Sequence, residues 1–350
     1  MAKLTIKQVG IKAVYATVPS FVEKTSEYAY FSAEEAKMFE KTVGIKERRV
    51  ASKTVTCSDL CFKAASDLVR DFNCKEEIDL LLFVSQSPDY FLPSTAAILQ
   101  DKLGLSTNCM AFDVSLGCSG YVYGLMLAGQ YLQNGSVKKV LLLAGDKSTV
   151  STHIQDKSAY PLFGDAGSAT LLEFDDSAND WYFDAGTDGS GASAIIIEAG
   201  HSRMPYQNDD SANSEPSTDI VRSKKYLAID GMAIFNFALK NVPHSINNTL
   251  ELANISIDKI DFFVLHQANQ LITDSLRRKF HLPVDKFPSS IGKYGNTSSA
   301  SIPLTLCSEM EQDLLTKELQ LLFCGFGVGF SWASVILKTK HVTTKFLTYD

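Results

Sequence analysis

The sequence predicts an α/β protein built from two related halves, and three observations carry that reading. Residues 78–84 (IDLLLFV) and 139–144 (KVLLLA) are near-continuous apolar runs, the composition of strands buried on both faces of a parallel sheet. Between such runs lie stretches whose apolar residues recur at three- and four-residue steps, the mark of amphipathic helices. The order then repeats: residues 260–266 (IDFFVLH) match 78–85 (IDLLLFVS), and residues 320–324 (QLLFC) resemble 139–144 and also break into glycines. A recurring strand order points to an internal duplication.

Residues 9–18 read as a strand ended by Pro19. Residues 32–42 read as a helix, with Ser32 as N-cap, Glu35 in the capping-box position and Gly44 as the stop. A charged turn, residues 45–49, follows. Residues 57–72 form a second helix with Leu60, Cys61, Ala64, Ala65 and Leu68 on one face. Cys57 and Cys61 stand one helical turn apart, but no His or further Cys joins them at ligand spacing, so core packing is expected rather than a metal site. The strand 78–84 leads to a helix over 94–103 and a strand over 110–114. The small-residue turn Ser115-Leu116-Gly117 delivers Cys118, where a helix with Val122, Leu125, Met126, Gly129 and Leu132 in period begins. Strands at 139–144 and 168–174 complete the first half.

The second half opens with a strand over 181–188. A long helical pattern at 231–252 contains Pro243, which should interrupt or kink it. The division falls at residues 1–178 and 179–350. Residues 201–225 are polar, include Asp209-Asp210, and read as a surface excursion longer than most loops within a compact domain.

Composition narrows the function classes. The 350 residues are 45% apolar and 21% charged, ordinary for a soluble globular protein. A net charge of −7 without a long basic run argues against nucleic acid as a partner. No uncharged apolar run approaches the length of a membrane span. Residues 1–19 lack a long apolar core and a cleavage site, so no signal peptide is expected. Seven scattered cysteines are no disulfide framework and fit a reducing, cytoplasmic setting.

Reactive groups gather in four breaks that follow buried strands, where α/β sheets collect ligands. The first carries Cys118 at a helix N-terminus, where unpaired N–H groups and the helix dipole should stabilise a thiolate. On that segment alone a buried cysteine in a packing turn is an equal reading. The second is His266-Gln267-Ala268-Asn269, the third 292–300 (GKYGNTSSA) with Asn296, the fourth 325–332 (GFGVGFSW). Singly, the His reads as a satisfied polar residue, the Asn as a left-handed turn residue, and the glycines as a tight connection. Together a Cys for covalent capture, His and Asn as neutral donors, and a backbone N–H hole make acyl-transfer chemistry.

The set GCSG, HQAN, KYGNTSSAS and GFGVGFSW, with GIKERR at 44–49, FGDAGSA at 163–169 and LPS at 92–94, resembles the thiolase-fold condensing enzymes. The branch it resembles is β-ketoacyl-acyl-carrier-protein synthase III, over nearly the whole chain. The resemblance implies a thiolase-like fold, with the duplicated halves in α-β-α-β-α layers. It implies that Cys118 takes a primer acyl group from an acyl-CoA or acyl-carrier-protein thioester. His266 and Asn296 then hold the thioester oxygen of malonyl-acyl-carrier protein during decarboxylation. The backbone N–H groups of Cys118 and Val328 form the oxyanion hole, and no metal or redox cofactor is needed. Phe163 corresponds to the aromatic residue beside the nucleophile. Leu92 corresponds to a residue that the partner subunit of a homodimer lends to the acyl pocket. Arg277 and Arg278 are candidates for contact with a carrier protein.

Departures from the family pattern concern the primer. A Trp and an Arg that clamp adenine in the acetyl-CoA-primed enzymes correspond to Met38 and Thr42, and two further Arg positions correspond to Leu271 and Lys157. Weaker binding of CoA is expected. The readings are a synthase initiating fatty-acid synthesis or a specialised-pathway ketosynthase or acyltransferase with a non-acetyl primer. GFGVGFS is similar to a turn of plant-type polyketide synthases, but HQAN argues against them. The Asn296 motif argues against a biosynthetic thiolase. A non-catalytic partner subunit would lack the Cys or its His/Asn pair, and this chain keeps all three.

Overall fold

Two mixed sheets organise the chain, whose computed structural model describes residues 2–206 and 224–350. Most of the polar excursion, including Asp209 and Asp210, therefore lies outside the described residues. The strands are β1 (Ala2–Ile6), β2 (Val9–Pro19), β3 (Val22–Lys24), β4 (Glu47–Arg49), β5 (Leu80–Val84), β6 (Met110–Val114), β7 (Lys139–Asp146), β8 (Ala166–Phe174), β9 (Trp181–Thr187), β10 (Ile195–Ile196), β11 (Ala228–Ile229), β12 (Phe262–Leu265), β13 (Glu318–Gly327), β14 (Ser331–Lys340) and β15 (Thr343–Tyr349). The helices are α1 (Ala33–Val43), α2 (Cys57–Phe72), α3 (Thr95–Lys102), α4 (Gly120–Leu132), α5 (Gly231–Ala253), α6 (Gln270–Lys279), α7 (Ile291–Tyr294), α8 (Ser301–Glu309) and α9 (Glu311–Thr316).

The first sheet runs β15-β2-β8-β7-β5-β6 and the second β1-β9-β14-β13-β12. Strand β5 pairs parallel to β7, which pairs antiparallel to β8. In the second sheet β12 pairs parallel to β13, which pairs antiparallel to β14. The matched segments thus occupy like places, IDLLLFV beside KVLLLA in the first sheet and IDFFVL beside QLLFC in the second. The repeated Ile-Asp lead-in has a physical cause. The Asp79 carboxylate accepts the backbone N–H groups of Lys138 (2.7 Å) and Lys139 (3.2 Å) at the start of β7. Asp261 accepts that of Gln320 at 2.7 Å, near the start of β13. The terminal strands trade places: β1 joins the second sheet beside β9, and β15 joins the first beside β2.

Alternation explains why the central strands read as unbroken apolar runs. Leu80, Leu82 and Val84 face a core shared with α4 and α8, which lie between the sheets. Leu81 and Phe83 face the opposite way, onto α2 and α3. In the second half Val264 and Phe323 face the shared core, while Phe263 and Leu322 pack under α5 and α6. Five layers result, α-β-α-β-α. Cys57 and Cys61 are buried in the α2 core.

The first helix carries the expected capping box at Ser32 and Glu35, and Gly44 ends it at φ +86°, a left-handed conformation that favours glycine. Three expectations need correction. Residues 47–49 of the charged turn are strand β4, antiparallel to β3. Alternation there turns Arg48 inward, onto Glu23 (Nε to Oε1, 3.1 Å), the Phe163 carbonyl (2.7 Å) and the Tyr160 carbonyl and ring. Helix α5 runs through Pro243 without interruption. Proline removes the N–H that the Leu239 carbonyl would use, and Lys279 of α6 donates to that carbonyl instead at 2.9 Å. Helix α4 begins at Gly120, two residues after Cys118. Among the described residues no helix is long and apolar enough to cross a membrane.

Candidate active site

Cys118 sits in the turn that carries the chain from β6 into α4, closed by a Gly120 N–H to Gly117 carbonyl bond of 2.7 Å. The end of β13 presses on it. A Cβ at Gly327 would lie 2.8 Å from Cys118 Cβ and 3.1 Å from its Sγ, so glycine is what permits the approach. The Ser298 hydroxyl lies 3.7 Å from the sulfur, and the backbone N–H groups of Cys118 and Val328 are near enough to favour its charged form. The expected stabilised thiolate is nevertheless corrected. Burial pushes the Cys118 thiol up to about 12; those donors pull it down, and Asp146 adds to the rise. Loss of solvation is the largest of these effects, the helix begins beyond the half-buried cysteine, and both favour the thiol form.

His266 follows β12 directly, its N–H bonded to the Cys324 carbonyl at 2.8 Å, and only 2% of it is exposed. Burial pushes its imidazole down to about 3, with the Ser298 carbonyl opposing, so the ring is neutral at physiological pH. Its Nδ1 lies 2.7 Å from Ser301 Oγ, which also accepts the Gln267 N–H at 3.4 Å. When the Ser301 hydroxyl donates to Nδ1, the ring hydrogen resides on Nε2; the opposite tautomer reverses that bond.

Asn296 is held by its backbone. Its N–H donates to the Leu162 carbonyl at 2.8 Å and its carbonyl accepts from Gly164 at 3.1 Å, so it forms a parallel bridge with Phe163. The side-chain Oδ1 accepts the Ser298 N–H at 2.9 Å, which leaves the amide Nδ2 as the group to donate elsewhere. The left-handed residue of this turn is Ser298, at φ +50°, and not Asn296. A non-glycine residue there is strained by roughly 1–2 kcal/mol, a cost that recurs where function over-determines the backbone.

Asp146, at the end of β7, ties the loop after β5 to the turn that follows Asn296. Its Oδ1 accepts from the Gln86 N–H (2.7 Å) and Ser85 hydroxyl (3.2 Å), and its Oδ2 from the Ser299 hydroxyl (2.7 Å) and N–H (3.2 Å). Burial raises its carboxyl above the usual range. Ser298, Ser301 and Asp146 were not singled out from the sequence. The position of Asp146, at the carboxyl end of a buried strand, was the available signal.

Cys118, His266, Asn296, Ser298, Phe163 and Val328 all line one cavity of about 240 Å³. Leu92 does not; it is 86% exposed, on a loop bordering a separate groove. Arg277 lines another cavity, where its guanidinium meets Asp274 (3.4 Å) and the Leu282 carbonyl (3.0 Å), and Arg278 is exposed. Met38, Thr42 and Lys157 do come together, around a depression that meets the catalytic cavity at Ser158. There Lys157 is paired with Glu35 at 2.9 Å, and the Thr42 hydroxyl donates to the Met38 carbonyl at 2.8 Å. Leu271 is exposed.

A thiol flanked by backbone N–H groups suits covalent acyl capture. Two neutral side-chain donors fixed in a buried site suit stabilisation of an oxygen that gains negative charge. Among the described residues no three His, Cys, Asp or Glu side chains are grouped to hold a metal ion.

Comparison with known proteins agrees with this chemistry. Residues 112–189 match the family described as 3-oxoacyl-[acyl-carrier-protein (ACP)] synthase III, and residues 250–339 match its C-terminal family. A beta-ketoacyl-[acyl-carrier-protein] synthase III of Rhodopirellula baltica is 34% identical over 355 residues, covering 95% of this chain and 99% of that protein. One from Streptococcus agalactiae is 36% identical over 298 residues, covering 84% and 88%. The crystal structure of a 3-oxoacyl-(acyl-carrier protein) synthase from Burkholderia xenovorans LB400 superposes with a TM-score of 0.93 at 37% identity, covering 99% of each chain.

Proposed function

Because the chain belongs to the 3-oxoacyl-[acyl-carrier-protein] synthase III family of thiolase-fold condensing enzymes, we propose that it is an acyltransferase joining a primer acyl group to malonyl-acyl-carrier protein. The product is a 3-oxoacyl-acyl-carrier protein, with loss of carbon dioxide. The observation that carries this reading is the single cavity in which Cys118, from one half, meets His266 and Asn296, from the other. The division into halves 1–178 and 179–350, with terminal strands exchanged, is part of the same reading.

Cys118 gives up its proton as it attacks the primer thioester. The half-buried thiol is a poor nucleophile until a substrate replaces the lost solvation, and the Cys118 and Val328 N–H groups stabilise the oxyanion formed. The malonyl thioester then enters. Loss of carbon dioxide leaves charge on the thioester oxygen, which His266 Nε2–H and Asn296 Nδ2 are placed to hold. The resulting carbanion attacks the acyl carbonyl and frees the cysteine. Time-resolved intact-mass measurement with a panel of acyl thioesters tests the first half. Wild type gains one acyl mass, and Cys118→Ser gains none and does not condense; a Ser variant condensing near the wild-type rate would sink the assignment.

The depression beside the cavity favours the second reading, a specialised-pathway ketosynthase with a non-acetyl primer. Met38 and Thr42 offer neither stacking nor a cation, which leaves Phe31 and Phe39 as the aromatic residues of the depression; Glu35 engages Lys157, and Arg48 is buried elsewhere. Each stacked or charge-paired contact absent is worth about 0.5–2 kcal/mol. Two or three absences lower affinity for CoA by roughly one to three orders of magnitude. Acetyl-CoA should therefore acylate more slowly than carrier-bound or larger acyl groups.

A homodimer is part of the proposal. Among the described residues strand β6 ends the first sheet with an unpaired edge, with Met110 exposed on it. The neighbouring loop exposes Tyr90, Phe91 and Leu92, and an apolar edge left open invites pairing. Seven free thiols fit work in the cytoplasm.

A further inference from the structure

The catalytic cavity has two ends. One meets the depression of Met38 and Lys157 at Ser158. The other is marked by Gln86, which lines both this cavity and the groove under the Leu92 loop, and by Ser148, next to Lys147 and close to Val150, which line that groove too. The opening at Ser158 suits entry of the thioester arm, so the Gln86 end receives the acyl group. That end is polar. The Gln86 carboxamide oxygen rests against Gly117, the residue before the nucleophile. Its backbone is fixed by the 2.7 Å bond from its N–H to Asp146, so the side chain leaves from a set point. Among the described residues neither the Gln86 amide nor the Ser148 hydroxyl has a hydrogen-bond partner.

Resting on the condensing reading above, we propose that Gln86 and Ser148 form a polar acyl subsite that selects a short primer acyl group bearing a hydroxyl or oxo oxygen. A plain hydrocarbon chain placed there would strip water from an amide and a hydroxyl and return nothing to them, whereas an oxygen substituent completes their hydrogen bonds. Sites built to bond a substrate oxygen discriminate against the analogue that lacks it far more sharply than apolar pockets reject an added group. The reaction itself is unchanged. The acyl carbon–sulfur bond to pantetheine breaks as the bond to Cys118 Sγ forms, and the thiol proton ends on the pantetheine sulfur.

The test uses butyryl-, 3-hydroxybutyryl- and 3-oxobutyryl-pantetheine, which share the arm common to CoA and carrier protein and bypass the question of which presents it. The readout is the rate at which intact protein gains each acyl mass. At least one oxygenated chain should acylate wild type about tenfold or more faster than butyryl, the worth of one or two satisfied hydrogen bonds. In Gln86→Leu with Ser148→Ala the preference should vanish or reverse. Both side chains are accessible, so the variant should fold, and butyryl acylation provides its internal control. A wild type that takes butyryl as fast as the oxygenated chains, or a preference unmoved in the double variant, overturns the subsite while leaving the condensing function intact. Failure of every thioester to label Cys118 overturns the functional reading beneath it.

Discussion

Replacing His266 by alanine should separate the two half-reactions. The ring is buried and, with its pKa pushed down to about 3, uncharged. What it offers is one neutral N–H, on Nε2 in the tautomer in which Ser301 donates to Nδ1. Removing one preorganised donor to a developing oxyanion typically costs about 10²–10³-fold in rate, or roughly 2.7–4 kcal/mol. Asn296 remains, so decarboxylation should fall by that factor and not to zero. Acylation depends on the Cys118 and Val328 N–H groups and should stay near wild type. The assay follows the acyl mass on Cys118 with time, and separately follows carbon dioxide released from malonyl-acyl-carrier protein by the acylated enzyme. A neutral donor also predicts that the His266 contribution does not titrate between pH 5 and 8. Equal losses in both half-reactions would refute the division of labour. So would a wild-type decarboxylation profile with a step near pH 6.5 that disappears in the variant.

Ser301→Ala should lower condensation about five- to tenfold, the net value of one hydrogen bond, and should add little to His266→Ala in the double variant; full additivity would separate Ser301 from the histidine. Gly327→Ala places a methyl group 2.8 Å from Cys118 Cβ, so it should cost about 1–3 kcal/mol of stability by denaturant titration and most of the acylation rate, and unchanged acylation would contradict the close approach. Acid should weaken the fold through His266, whose folded-state pKa is depressed. Its contribution is intact above about 6.5 and is lost as pH falls toward about 3, by up to about 1.4 kcal/mol per pH unit. Urea midpoints of His266→Asn should thus decline less steeply than wild type below pH 6.5, and parallel slopes would place a solvated, ordinary histidine there.

The sequence by itself determined the α/β class and five members of the cavity, Cys118, Phe163, His266, Asn296 and Val328, but not Gln86, Ser148 or Ser298. Apolar runs such as 78–84 must be covered on both faces, and the repeated Ile-Asp lead-in fixes the start of each neighbouring strand through one carboxylate, so order and duplication are local information. Cys118, His266 and Asn296 each stand at a strand end or a turn with its own short motif. Tertiary structure decided what no motif contains. The burial of Arg48 depends on the alternation of β4 against β3 and on Tyr160, more than a hundred residues away. The exchange of β1 and β15 between sheets depends on edges that form only when both halves are present. The protonation of Cys118 was out of reach for the same reason, whereas His266 was read as a neutral donor and is one. A helix terminus favours a thiolate, but its effect is short-ranged, whereas desolvation sums over every element packed around the sulfur and the ring. Those elements come from both halves of the chain, and only their packing sets which term is larger.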